Sequence, residues 1–185
     1  MSEHKYADLR WGTIEAVFNK LGGMEAAQCF LRGELVVPGT ENIVSYSITI
    51  DYGKTLEEMV KAGAYDWKNS DITSEHFPID GNGMVECTTE LVHFNRSIST
   101  DDALAELDKQ GFRPATIEEL LAFGSTNPEI QRQFPIIALG SVWASRGGDR
   151  CVAYLNRRGS ERGLSLDWFD DDDWDDHCRF LAVRK

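Results

Sequence analysis

The sequence predicts an α+β protein in which short antiparallel strands share a core with a few amphipathic helices. Three observations carry this. First, Val44, Tyr46, Ile48, Ile50 and Tyr52 alternate with polar residues, the period-two pattern of a strand with one buried face. Second, two Thr-x-x-Glu signatures, Thr55 with Glu58 and Thr116 with Glu119, precede apolar helical runs. There a Thr hydroxyl and a Glu carboxylate reciprocally satisfy the free N–H groups of a helix start. Third, four strand-like runs close the chain, the first three separated by Gly-containing turns.

Taken in order, Leu9, Ile14, Val17, Phe18 and Leu21 recur near helical spacing, and Gly22-Gly23 breaks that helix. Met24, Ala27, Phe30 and Leu31 resume it, Gly33 stops it, and Pro38-Gly39 makes a turn. These predict a helical hairpin, followed by the strand from Val44 and the helix capped by Thr55. Residues 64–83 are rich in Asp, Asn, Ser and Gly and read as a long ordered loop that ends in a turn at Gly81-Asn82-Gly83. A strand runs from about Met84 to Asn95. Ser99 or Thr100 then caps a helix with Ala103, Leu104 and Leu107 on one face, and Asp101 and Asp102 suit the positive end of its dipole. Gly111 ends it, Thr116 starts the next, and a short third helix is expected from Pro128 to about Phe134. The runs PIIALGSVWAS, RCVAYLN, GLSLDW and CRFLAVRK read as strands, with hairpin turns at Arg146-Gly147-Gly148-Asp149 and Arg157-Arg158-Gly159-Ser160. The organisation expected is a helical extension with one strand and a long loop over residues 1–83, then a domain over residues 84–185.

The bulk numbers narrow the function. With 185 residues and an apolar fraction of 42%, the chain can bury a sizeable core. A net charge of −12 opposes binding to nucleic acid and to anionic membranes, while it permits a basic protein partner or a cation. The polar start MSEHKYADLRW has no apolar signal core, and no run is long enough to span a membrane. The four cysteines, Cys29, Cys87, Cys151 and Cys178, show neither a Cys-x-x-Cys pair nor zinc spacing. These features predict a cytoplasmic protein with reduced thiols. A Cys151–Cys178 disulfide stays open if the chain is exported.

The segment ALAELDKQGFRPATIEELLAF resembles a stretch of bacterial C-type-lectin-like domains, the group that includes the formylglycine-generating, sulfatase-modifying family. The matching residues are Gly111, Phe112, Arg113, Thr116, Glu119 and Leu120. CRFLAVRK is similar to the closing strand of that group through Arg179, Val183 and Arg184, with Phe180 displaced by one place, and SVWAS resembles its tryptophan strand. As a whole, the LGG…FLRGEL opening and RPAT…EELL middle are similar to an uncharacterised bacterial family, a likeness that supplies no activity. The resemblance implies a C-type-lectin-like fold for residues 84–185 in which the first and last strands pair, ELVHFN beside CRFLAVRK. It also implies that the remaining strands and loops form one end, where ligands bind. The closely spaced cysteine pair that holds copper in the formylglycine-generating enzymes is absent, since Cys151 and Cys178 are 27 residues apart.

The most conspicuous feature is the run from Asp170 to Asp176, six aspartates interrupted only by Trp174. Three readings apply. A solvated acidic loop is the plainest. Clustered carboxylates also suit calcium, and Asp171, Asp173 and Asp175 alternate so as to face one ion. Finally, Trp143, Trp168, Phe169 and Trp174 beside the acids suit an interface that would steer a basic partner. Trp143 and Trp168, inside strands, are expected in the core, whereas Trp174, among aspartates, is expected to be exposed. The chain carries no nucleophile elbow, phosphate loop or His-Glu-x-x-His motif. The function expected is therefore a non-enzymatic ligand- or protein-binding module. Its site would be Trp143, Asp149, Trp168, Asp170, Asp171, Asp172 and Trp174 at the acidic, aromatic end. The alternatives are a calcium-dependent binding protein or enzyme using the aspartate cluster, and a variable ligand-binding protein of a diversity-generating retroelement. No cofactor other than calcium is implied. His93 is expected to be a satisfied core histidine, His4 and His76 to lie at the surface, and Arg113 and Arg179 to answer nearby acids such as Glu119.

Overall fold

The computed structural model describes residues 45–170 and 173–185; the helical hairpin and turn expected over 8–39, Cys29, His4, Val44, Asp171 and Asp172 lie outside them. Among the described residues the chain is mixed α and β, with three α-helices and an eight-stranded sheet that is not a closed barrel. β1 (Ser45–Asp51), α1 (Leu56–Ala62) and the two-residue β2 (Trp67–Lys68) come first. β3 (Met84–Val92), α2 (Thr100–Lys109), β4 (Phe112–Pro114) and α3 (Ile117–Thr126) follow. A 3-10 turn at Ile130–Arg132, in place of the expected third α-helix, enters β5 (Ile136–Ala144). β6 (Arg150–Arg158), β7 (Glu161–Trp168) and β8 (Arg179–Arg184) complete the chain.

The helix starts form as their cap residues dictate. Thr55 N–H donates to Glu58 Oε2 at 2.9 Å while Glu58 N–H donates to Thr55 Oγ1 at 3.2 Å. Ser99 Oγ accepts the Asp102 N–H at 3.2 Å. Thr116 N–H donates to Glu119 Oε2 at 2.8 Å, and the buried Glu119 also receives both arms of Arg113 at 2.9 and 2.6 Å. A residue that completes a cap thus also ties α3 to β4.

The spatial order of the sheet is β1-β3-β8-β5-β6-β7-β2, with β4 added to β8. β3 and β8 are antiparallel neighbours, Leu91 opposite Leu181 and Val92 opposite Phe180, the pairing of ELVHFN with CRFLAVRK. β1 pairs with β3 along its whole length, and β2, inside the polar loop, runs parallel to β7. The boundary expected at residue 83 therefore falls within one sheet. The physical reason is apolar: Ile48 and Ile50 of β1 enter the same core as Leu120 and Leu121 of α3. β5 runs beside β8 at Ile136 and Ile137, and a bulge between Ile137 and Val142 then redirects it along β6. Gly140 sits in that bulge with its N–H on Ala115 O at 2.8 Å; a Cβ there would lie 2.5 Å from the same oxygen, so only glycine fits.

Both faces of the sheet are buried at its central strands β5 and β8. Successive residues of β5 and β8 alternate between two clusters: Ile136, Ala138 and Leu181 on the α3 side, Ile137, Leu139, Phe180 and Ala182 on the α2 side. No helix among the described residues is long and apolar enough to cross a membrane. Cys87, Cys151 and Cys178 are free thiols, so no Cys151–Cys178 disulfide forms.

One joint holds the last strands to the helices. Arg162 is buried, and its guanidinium donates to Gly63 O at 2.6 Å, Gly124 O at 2.7 Å and Gln131 Oε1 at 3.0 and 3.2 Å. Gln131 passes the connection on through Nε2 to Asn156 O at 2.7 Å and Gly163 O at 3.0 Å.

Candidate functional site

Among the described residues, a groove of about 420 Å³ lies over Tyr154, Asn156 and Arg157 of β6 and Asp167 of β7. Its floor follows from strand periodicity and register. Val152, Tyr154 and Asn156 point to one face of β6, and their cross-strand partners Asp167, Ser165 and Gly163 share it. Beyond Val152 the floor turns polar. Ser165 Oγ donates to Asn156 Oδ1 and Asn156 Nδ2 donates to Tyr154 Oη, both at 3.3 Å. Gly163 leaves room here for the Asn156 amide, whose Oδ1 would have to shift if a Cβ stood in its place.

One wall is the stretch from Gln131 to Pro135, fixed by the buried Gln131. The other is residues 173–178, the tail of the aspartate run, fixed by Trp174. Trp174 is only 7% exposed, a correction to the exposure expected from its acidic neighbours. Its backbone forms a two-way bridge with Ile98, N–H to O at 2.8 Å and O from N–H at 3.1 Å. Its ring lies edge-on to Phe180 at 6.1 Å between centroids. Its Nε1–H donates at 3.0 Å to Thr100 Oγ1, which in turn donates to Phe169 O at 2.7 Å. With the indole committed inward, Asp173 and Asp175 stay exposed beside the groove.

The other predicted residues fall into two sets. Trp143, Cys151 and Trp168 form one cross-strand row over β5, β6 and β7, on the sheet face opposite the groove floor. Trp143 is half-buried and stacks on His76 at 4.1 Å, so His76 is no plain surface residue. Trp168 is 56% exposed, a correction to its expected place in the core: it ends β7, at the rim of the sheet. Asp149 closes the β5–β6 turn, its carbonyl accepting the Ser145 N–H at 2.8 Å. Asp170 makes a two-armed ion pair with Arg150, whose guanidinium also lies 4.5 Å over the Phe169 ring. The hydrogen bonds from Arg150 hold the Asp170 carboxyl below its ordinary range.

For the metal reading, no three His, Cys, Asp or Glu side chains converge among the described residues, and Asp171 lies outside them. The thiols are not poised as nucleophiles. Burial, reinforced by the Asp175 carboxylate, pushes Cys178 up to about 11, and burial with Asp149 raises Cys151. Arg113 does pair with Glu119, and His93 is satisfied by Asp176 O at 2.6 Å.

The sequence draws attention to the aromatic rim and does not single out Tyr154 and Asn156, which line the groove. The available signal was alternation in VAYLN, which puts Tyr154 and Asn156 on the side of Val152. Comparison with family models, with curated proteins and with solved structures finds no match to this chain.

Proposed function

We propose that the domain is a binding module that takes a small polar molecule in the groove over β6 and β7 and performs no chemistry on it. The observation that carries this reading is a groove of about 420 Å³ with a neutral hydrogen-bonding floor between two anchored walls. That volume lies within the roughly 300–1,000 Å³ typical of small-molecule sites, and such sites pair apolar surface with a few placed polar groups. Phe134, Ile137 and Trp174 supply the apolar part here. The raised thiols, and a Ser165 hydroxyl bonded to an amide instead of a base, favour binding over catalysis.

The same proposal takes the fold to be C-type-lectin-like. Supporting it are the antiparallel pairing of β3 with β8, the two helices α2 and α3 between β3 and β5, and the parallel contact of β5 with β8. A second reading, a surface for a protein partner at Trp143 and Trp168, is favoured by one observation, the 56% exposure of Trp168.

The test is a screen of metabolites, short peptides and glycans by thermal shift. Hits are then mapped by backbone amide NMR on wild type and on Tyr154→Phe and Asn156→Ala variants. The proposal expects hits that move the amides of residues 152–156 and 163–167 and that weaken in both variants. Ligands that shift only Trp143, Trp168 and their neighbours would sink the groove reading and leave the second.

A further inference from the structure

The groove is electrically polarised along its length, and the polarity has a direction fixed by the strands. Arg157 borders the groove at the β6–β7 hairpin end, its backbone opposite Arg162 and next to Asn156. Arg132 is at the same end, since its guanidinium donates to Ser160 O in that hairpin. Asp167 lies opposite Val152, five residues back along β6 from Arg157, or about 16 Å at the rise of a strand. Asp173 shares that far end, because it also borders the space beside Arg150, Phe169 and Asp170. Asp175 belongs there too, as it and Asp167 both act on the Cys178 thiol.

The two ends differ in their commitments. Arg132 is engaged by Glu129 at 3.2 Å, but Arg157 makes no ion pair among the described residues. At the other end, Asp173 is exposed and likewise makes no ion pair among the described residues, and Asp167 bonds only the neighbouring Trp168 N–H, at 2.9 Å. Between them Tyr154 Oη and the Asn156 amide offer donors and acceptors that carry no charge.

We infer that the groove takes a short zwitterionic peptide, its carboxylate on Arg157 and its ammonium group between Asp167 and Asp173, an inference that rests on the binding reading above. The length decides between a peptide and a single amino acid. Three extended residues span about 10 Å, and the flexible Arg157 arm covers the remainder. A lone α-amino acid cannot reach both ends. The peptide's own N–H and C=O groups would meet Tyr154 and Asn156 midway, and a guanidinium suits a terminal carboxylate through two parallel hydrogen bonds.

The experiment titrates the intact protein with tri-alanine, N-acetyl-tri-alanine, tri-alanine amide and alanine. It uses calorimetry and amide NMR, on wild type and on Arg157→Ala. The expected result is tri-alanine binding in the groove, with each capped peptide weaker by about tenfold, or ~1.4 kcal/mol. Arg157→Ala should cost tri-alanine a similar factor and leave the amide unchanged, which a general loss of folding would not do. Equal binding of free and capped peptides, or tight binding of alanine alone, overturns the inference while the groove remains a binding site. The same holds if no peptide binds but a molecule of another class moves the groove amides. If no molecule of any class moves them, the inference falls together with the binding reading.

Discussion

Trp168 and Trp174 stand six residues apart and exchange the places their sequence surroundings suggest. Trp168 sits in a strand with Leu164 and Leu166 on its own face, yet is more than half exposed. Trp174 sits between aspartates, yet is nearly buried. The difference teaches that burial depends on what covers a residue more than on its neighbours in the chain. Trp168 lies at the last position of β7, at the rim of the sheet. Trp174 lies where the chain folds back over Phe180 and meets a ready hydrogen-bond acceptor in Thr100. The aspartates on either side are the solvated shoulders of an apolar anchor.

The largest effect that could break this comparison is expected from Trp174→Ala. Removing a buried tryptophan costs about 3–5 kcal/mol, and chemical denaturation should register that loss without a change of ligand. An effect below ~1 kcal/mol would mean that the indole is not the anchor. Thr100→Val sharpens the point. It leaves the Trp174 N–H and the Phe169 carbonyl unpaired, at an expected cost of about 1–3 kcal/mol. In the double variant with Trp174→Phe the two losses should not add, because both report on the same bond.

Cys178, in the same cluster as Trp174, supplies a pH test. Its thiol rises from an ordinary 9.0 to about 11, with burial as the main cause. Between those values the unfolded chain has released a proton that the folded chain keeps, so stability falls as pH rises from 9 toward 11 and is unaffected below that window. Cys178→Ala should flatten this alkaline slope in denaturation curves, whatever it costs at neutral pH. An unchanged slope would show that the thiol is not shielded. The smallest effect is expected from Trp168→Ala, within about 0.5 kcal/mol. Iodide quenching should then lose the component from the most exposed tryptophan among the described residues. A large destabilisation instead would place Trp168 in the core after all.

Much of the fold was legible because it rests on local chemistry. The boxes at Thr55 and Thr116, the cap at Ser99 and the alternation in β1 and β5–β8 each leave a mark within a few residues. β2 and β4 left none. They are two and three residues long, and they exist only because β7 and β8 offer them an edge. The join across residue 83 is hidden for the same reason: the partnership of β1 with β3 spans a polar loop that local composition reads as a linker. The site was the least legible. Acids and tryptophans are conspicuous in a sequence, whereas Tyr154 and Asn156, the latter held by the buried Ser165, line a groove only once β6 and β7 are in register.

The guanidinium of Arg162 has one more consequence. It is a permanent cation buried with no carboxylate partner among the described residues, balanced by the carbonyls of Gly63 and Gly124 at helix ends and by an amide. None of those partners titrates. The bonds by which this guanidinium clasps α1, α3 and β7 together therefore do not depend on the protonation of any partner. The β6–β7 hairpin under the groove is thus moored to the helices, through Arg162 and Gln131, by a cation whose partners carry no charge to lose.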